Sequence, residues 1–197
     1  MALRDLADEL ETLSLAEPEY LLFNPTGDRS WLREKFGDIP RYLFRVFTPK
    51  SDGSTDRFWV KSKDARYERA NHRVDILSRD QNQQVASMIN RHLRWWGKDG
   101  DEDNLVSWTS SLLFALQYIF YRHTHPKDGS GLDRIYLCVI DTNSFPEGVF
   151  LRDMDLIHAY RSFDTSNMNL GSLGEEAPRF RGILLLWRIP VAGCTGN

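Results

Sequence analysis

Cysteine is scarce in this chain. Cys138 and Cys194 are the two in 197 residues, and neither has a partner at the spacing of a zinc ligand pair or a redox motif. That scarcity excludes a disulfide scaffold and fits a reducing, intracellular setting, cytoplasmic or nuclear. An excess of one charge is missing too: 25 Lys and Arg against 28 Asp and Glu leave a net charge of −3. Phosphate-driven affinity needs a clustered basic face, so no nucleic-acid partner is expected. Long apolar runs are also lacking. No stretch approaches a membrane span, and Met1 to Leu15 sets leucines among acids where a signal peptide would have a continuous apolar core. The expectation is a soluble protein with no membrane partner and no internal repeat.

What is present suffices for one compact domain. At 197 residues and 41% hydrophobic content, the chain can bury about two thirds of its unfolded surface. Leu3, Leu6, Leu10, Leu13 and Leu15 suggest a helical arm over residues 1–39, interrupted around Pro18 and Pro25 and followed by a short helix from Asp28 to Phe36. Tyr42-Leu43-Phe44-Arg45-Val46-Phe47 alternates as a strand does, and Pro49 to Ser54 reads as a turn. From Trp59 to Asp80 the chain is charged and reads as a surface excursion. Within it, Asp64, Glu68 and Asp75 largely cancel the basic residues between Lys61 and Arg73, giving a solvated face.

Helical spacing returns through Val85, Met88, Ile89 and Leu93, and an acidic loop runs from Gly97 to Asn104. Leu112 to Phe120 is apolar nearly all round, which predicts a buried helix capped by Thr109 or Ser110. Ile135 to Asp141 reads as a buried strand, and Val149 to Arg161 as a short strand with a helical turn. Strands separated by helices without a repeating crossover unit give an α+β class.

Two features of this pattern bear on chemistry. Arg45 places a permanent cation inside a strand, and Ser107-Trp108-Thr109-Ser110-Ser111 gathers hydroxyls where a strand ends and a helix begins. Each has a plain alternative: Arg45 as an edge-strand arginine paired with an acid, the hydroxyls as helix caps. His92, His123 and His125 match no common zinc spacing and read as surface histidines, so no metal is expected. Trp95 and Trp96 read as a helix end packing on the core, and Cys138 as a small buried apolar residue.

The succession YLFRV, NLVSWTSSLLFALQYIF and IYLCVIDTNSFPEGVFLRD resembles a fungal domain family of unassigned function. Its order of elements is similar to that of ADP-ribosyltransferases of the Arg-Ser-Glu class, over roughly Pro40 to Phe163. The resemblance implies a split β-sheet core with flanking helices over residues 40–183 and NAD as substrate. By the same resemblance Arg45 contacts the NAD phosphates, and Ser107, Thr109 and Ser110 form the hydroxyl strand beside the nicotinamide. Trp108 departs from the small-residue spacing of that strand.

A glutamate on a later strand completes such sites, and the family segment resembling YFGEYLSQGAL would carry it. This chain reads LLLWRIPVAGCTGN from Leu184 instead, a divergent tail over residues 184–197. Codons allowed by the tail from Leu185 can spell YFGEYLSQGALE when read one base later, which points to a frame-shifted C-terminus. Glu175 and Glu176 sit in a predicted loop and do not replace the glutamate. No catalytic residue is assigned, and the expectation is a catalytically impaired NAD-binding domain. The alternatives are an NAD glycohydrolase and a non-enzymatic module binding a protein partner. An NAD site requires an open cleft between Arg45 and Ser107 to Ser110; a binding module requires Arg45 in a salt bridge and the cleft filled by aromatics.

Overall fold

A computed structural model describes residues 20–95, 101–126, 128–166, 170–175, 182–186 and 188–190, with the backbone alone described for 174–175 and the last two segments. The leucine-rich part of the predicted arm, Trp96, Cys194, Glu176 and the tail beyond residue 190 lie outside the described residues.

The described residues form eight strands: β1 (Tyr42–Phe47), β2 (Ser54–Thr55), β3 (Trp59–Lys61), β4 (Leu105–Thr109), β5 (Tyr136–Asp141), β6 (Phe150–Arg152), β7 (Gly182–Leu186) and β8 (Arg188–Pro190). They form one antiparallel sheet in the order β5-β1-β4-β7-β6 and a smaller antiparallel one in the order β2-β3-β8. The helices are α1 (Lys63–Arg66), α2 (Asn82–Leu93), α3 (Leu112–Thr124), α4 (Asp153–Tyr160) and α5 (Leu170–Glu175), with 3₁₀ turns over Gly27–Asp38. The mixture is α+β.

Successive strand residues point to opposite faces, and the larger sheet divides its core accordingly. Leu105 and Leu151 face a cluster with Ile89 of α2, Leu156 of α4 and Leu170 of α5. Val106, Trp108 and Phe150, each an odd number of residues away, face a second cluster that includes Val60 of β3, so this face packs on the smaller sheet. Residues 20–38 join the first core through Phe23 and Leu32, both buried.

Several expectations need correction. The stretch Trp59 to Asp80 is not a surface excursion: it holds β3 and α1 and buries Val60, Ile76 and Leu77, with Lys63 and Asp64 buried beside them. The cap of α3 is Ser111, whose Oγ accepts Phe114 N at 3.1 Å, while Thr109 Oγ1 accepts Ser111 N one step earlier. The helix itself is not buried; of its described residues Ala115 alone is, and Leu113 and Phe120 are 67% and 62% exposed. Its inward stripe is Ala115, Tyr118, Ile119 and Arg122, the i, i+3, i+4, i+7 spacing of a one-sided contact. The predicted buried strand at Ile135 to Asp141 is an edge strand that buries Cys138 and Ile140 and exposes Leu137 and Val139. Glu175 closes α5 instead of lying in a loop.

Candidate functional site

The site arises where two strands part. β1 pairs with β5 along its whole length, yet it meets β4 at Phe44 opposite Thr109 and diverges from there. The Arg45 guanidinium enters that gap. Its Nη1 donates to the Ser107 carbonyl at 3.2 Å, in place of a ladder N–H, and its Nε donates to Thr55 Oγ1 of the smaller sheet at 3.2 Å. Nη2 has no partner among the described residues, and no carboxylate there forms an ion pair with Arg45. Burial pushes its pKa down to about 10, and the neighbouring Arg122 cation adds to that. At neutral pH it remains a desolvated cation.

A cavity of about 300 Å³ opens over this gap. Arg45, Ser107 and Thr109 line it; Ser110 is exposed and lies outside the lining. Three of the four hydroxyl and arginine positions singled out in the sequence therefore meet in one place. Trp95, Phe114 and Tyr118 form an aromatic wall, with Trp95 and Tyr118 centroids 5.2 Å apart. Trp95 is half exposed at the end of α2, in the left-handed backbone region at φ 54°, so it does not pack into the core as its sequence position suggested. Trp108 presents a buried indole N–H with no hydrogen-bond partner among the described residues. Burial raises the Tyr118 phenol pKa, so it stays a neutral donor.

On the other side of Ser107 stands a polar chain. Its Oγ lies 2.7 Å from His92 Nε2, and His92 Nδ1 lies 2.8 and 2.9 Å from the two carboxylate oxygens of Asp103. Asp103 is itself oriented, since one oxygen accepts Leu105 N at 3.1 Å and its own N–H donates to Asp64 at 3.0 Å. Burial raises the Asp64 pKa. His92 is thus not a surface histidine. The sequence did carry a signal for it: it continues the stripe Val85, Met88, Ile89 on the inward side of α2, where a polar residue needs a partner. Asp103 had no such signal, because its position depends on how the acidic loop leads into β4. His123 is exposed at the far end of α3, and no group of metal-ligating side chains occurs among the described residues.

All of these residues fall within residues 38–175, which match the family model for the domain of unknown function DUF7587. The chain belongs to the DUF7587 family. No curated protein and no solved structure matches it. The DUF7587 match ends before β7 and β8, the strands that complete the two sheets. No helix among the described residues is long and apolar enough to cross a membrane.

Proposed function

We propose that this DUF7587 domain binds NAD in the gap between β1 and β4, as a relative of the Arg-Ser-Glu class of ADP-ribosyltransferases within a fungal family. The observation that carries this reading is Arg45, a desolvated cation with an unused Nη2 and no carboxylate partner among the described residues, opening into a cavity. A half-buried charge without a counter-ion is costly, and a pyrophosphate supplies the missing anion with bidentate geometry. Trp95, Phe114 and Tyr118 offer faces for a nicotinamide or adenine ring, and Thr109 and the Trp108 indole offer polar contacts to it. The strand divergence resembles the split sheet of those transferases.

Without the family glutamate, nothing in this set stabilises an oxocarbenium-like ribosyl group as a carboxylate would, so transfer is weak or absent in the chain as it stands. Calorimetric titration of NAD tests the reading. Arg45→Ala should weaken binding by about 10- to 100-fold, the worth of a charge-assisted hydrogen bond to phosphate. Equal affinity in both chains overturns it. NAD consumption that returns when the tail from Leu185 is replaced by YFGEYLSQGAL would support both the transferase class and the frame-shift account. A second reading, a module for a protein partner, is favoured by one observation: Leu113, Leu116 and Phe120 share an exposed apolar face of α3.

A further inference from the structure

We infer that Ser107, His92 and Asp103 form a nucleophilic serine site that hydrolyses carboxylic esters carrying a nearby anionic group. This goes beyond NAD binding and does not depend on it.

The geometry is that of nucleophile, base and orienting acid in sequence. A carboxylate only accepts, so the 2.8 Å contact to Asp103 fixes the proton of the neutral imidazole on Nδ1. Nε2 then carries the lone pair, 2.7 Å from Ser107 Oγ, and is placed to take the hydroxyl proton. The base is held in turn, because Leu105 N fixes Asp103 from behind. Ser107 lines the open cavity, which separates this arrangement from a buried pin between α2 and β4.

Charge selects the electrophile. The cations around the cavity include Arg45, Lys63 and Arg91, a setting hostile to a developing carbocation and favourable to a developing oxyanion. The unused Nη2 of Arg45 is the donor available for it, since Nη1 of the same group is fixed on the Ser107 carbonyl. In the reaction Oγ bonds to the ester carbonyl carbon as its proton passes to Nε2, and the carbonyl electron pair moves onto oxygen. Collapse of the adduct breaks the bond to the leaving alkoxide, which takes the proton from Nε2. Water then repeats the attack: its proton goes to Nε2, the acyl–Oγ bond breaks, and Oγ recovers that proton as the acid departs. The sum is ester and water to acid and alcohol.

The test uses a fluorophosphonate probe, located by peptide mass spectrometry, and p-nitrophenyl succinate beside the neutral acetate ester. Labelling at Ser107 is expected, with faster turnover of succinate than of acetate, and with both esters slowed in Arg45→Ala because the oxyanion donor is lost. His92→Gln keeps hydrogen bonds to both neighbours but cannot take the proton, so labelling and turnover should fall by about 100-fold or more while the melting temperature stays near that of the parent chain. No label at Ser107 in the folded parent chain, or equal labelling in His92→Gln, overturns the inference.

Discussion

α2 and α3 lie on either side of the same cavity and handle apolar residues in opposite ways. α2 has few of them, yet Val85, Ala86, Met88 and Ile89 are all buried because they recur on one stripe. α3 is apolar nearly throughout and exposes Leu112, Leu113, Leu116, Phe120 and Tyr121. Burial follows what lies opposite a position more than the position's own hydropathy. α2 is enclosed by α4 and α5 through the first core, whereas α3 rests on β1 and β4 with Ala115 at the contact. α2 supplies packing and the polar groups His92 and Arg91; α3 supplies Phe114 and Tyr118 of the aromatic wall and keeps a greasy back.

Substitutions should separate the two helices by size of effect. Ile89→Ala empties a fully buried site and should cost about 2–5 kcal/mol, read as a lower urea midpoint at unchanged slope. A value near zero would mean that α2 is not the packed helix described. Arg45→Met, beneath the wall that α3 provides, should act in the other direction. Burial lowers the guanidinium pKa from its usual value, which the unfolded chain keeps, to about 10 in the folded one. The unfolded chain therefore holds the proton more tightly, and a destabilising penalty is present in full below about pH 10 and fades as pH rises above it. Removing the charge should raise the melting temperature at pH 7 while abolishing anion binding; a lower melting temperature would mark Arg45 as a structural residue.

Ser111→Ala should cost about 1 kcal/mol through the lost cap of α3, whereas Ser110→Ala should leave the melting temperature unchanged. Leu113→Gln should change stability by less than about 0.5 kcal/mol despite the loss of a large apolar group. A large loss there would show that the exposed face is covered in solution.

Much of the frame is legible in the sequence, and the reasons are local. The alternation of Tyr42 to Phe47 and the stripe through Val85 and Ile89 specify β1 and α2, and Arg45, Ser107 and Thr109 can be picked out as types with chemical capacity. The buried residues Lys63 and Asp64 defeat local reading, because charged residues enter a core only when partners meet them there, and for Asp64 the neighbouring Arg69 is joined by the amide of the distant Asp103. The exposed back of α3 is equally non-local. Ser111 and Ser110 differ by one residue in sequence, and which of them caps the helix depends on where β4 releases the chain. The chain of Ser107, His92 and Asp103 joins a strand, a helix and a loop, and no single stretch contains its spacing.

The placement of β7 has a temporal side. β4 sits between β1, made early, and β7, a segment read only after the whole of β5, β6 and α4. As the chain leaves the ribosome, β4 and β6 each keep an unsatisfied hydrogen-bonding edge until that segment arrives to join them. The larger sheet therefore cannot close domain-first and piecemeal. Its formation is a high-contact-order event, slow to complete and exposed to chaperones in the meantime, so Ser107 acquires its full strand environment only after β7 has been made.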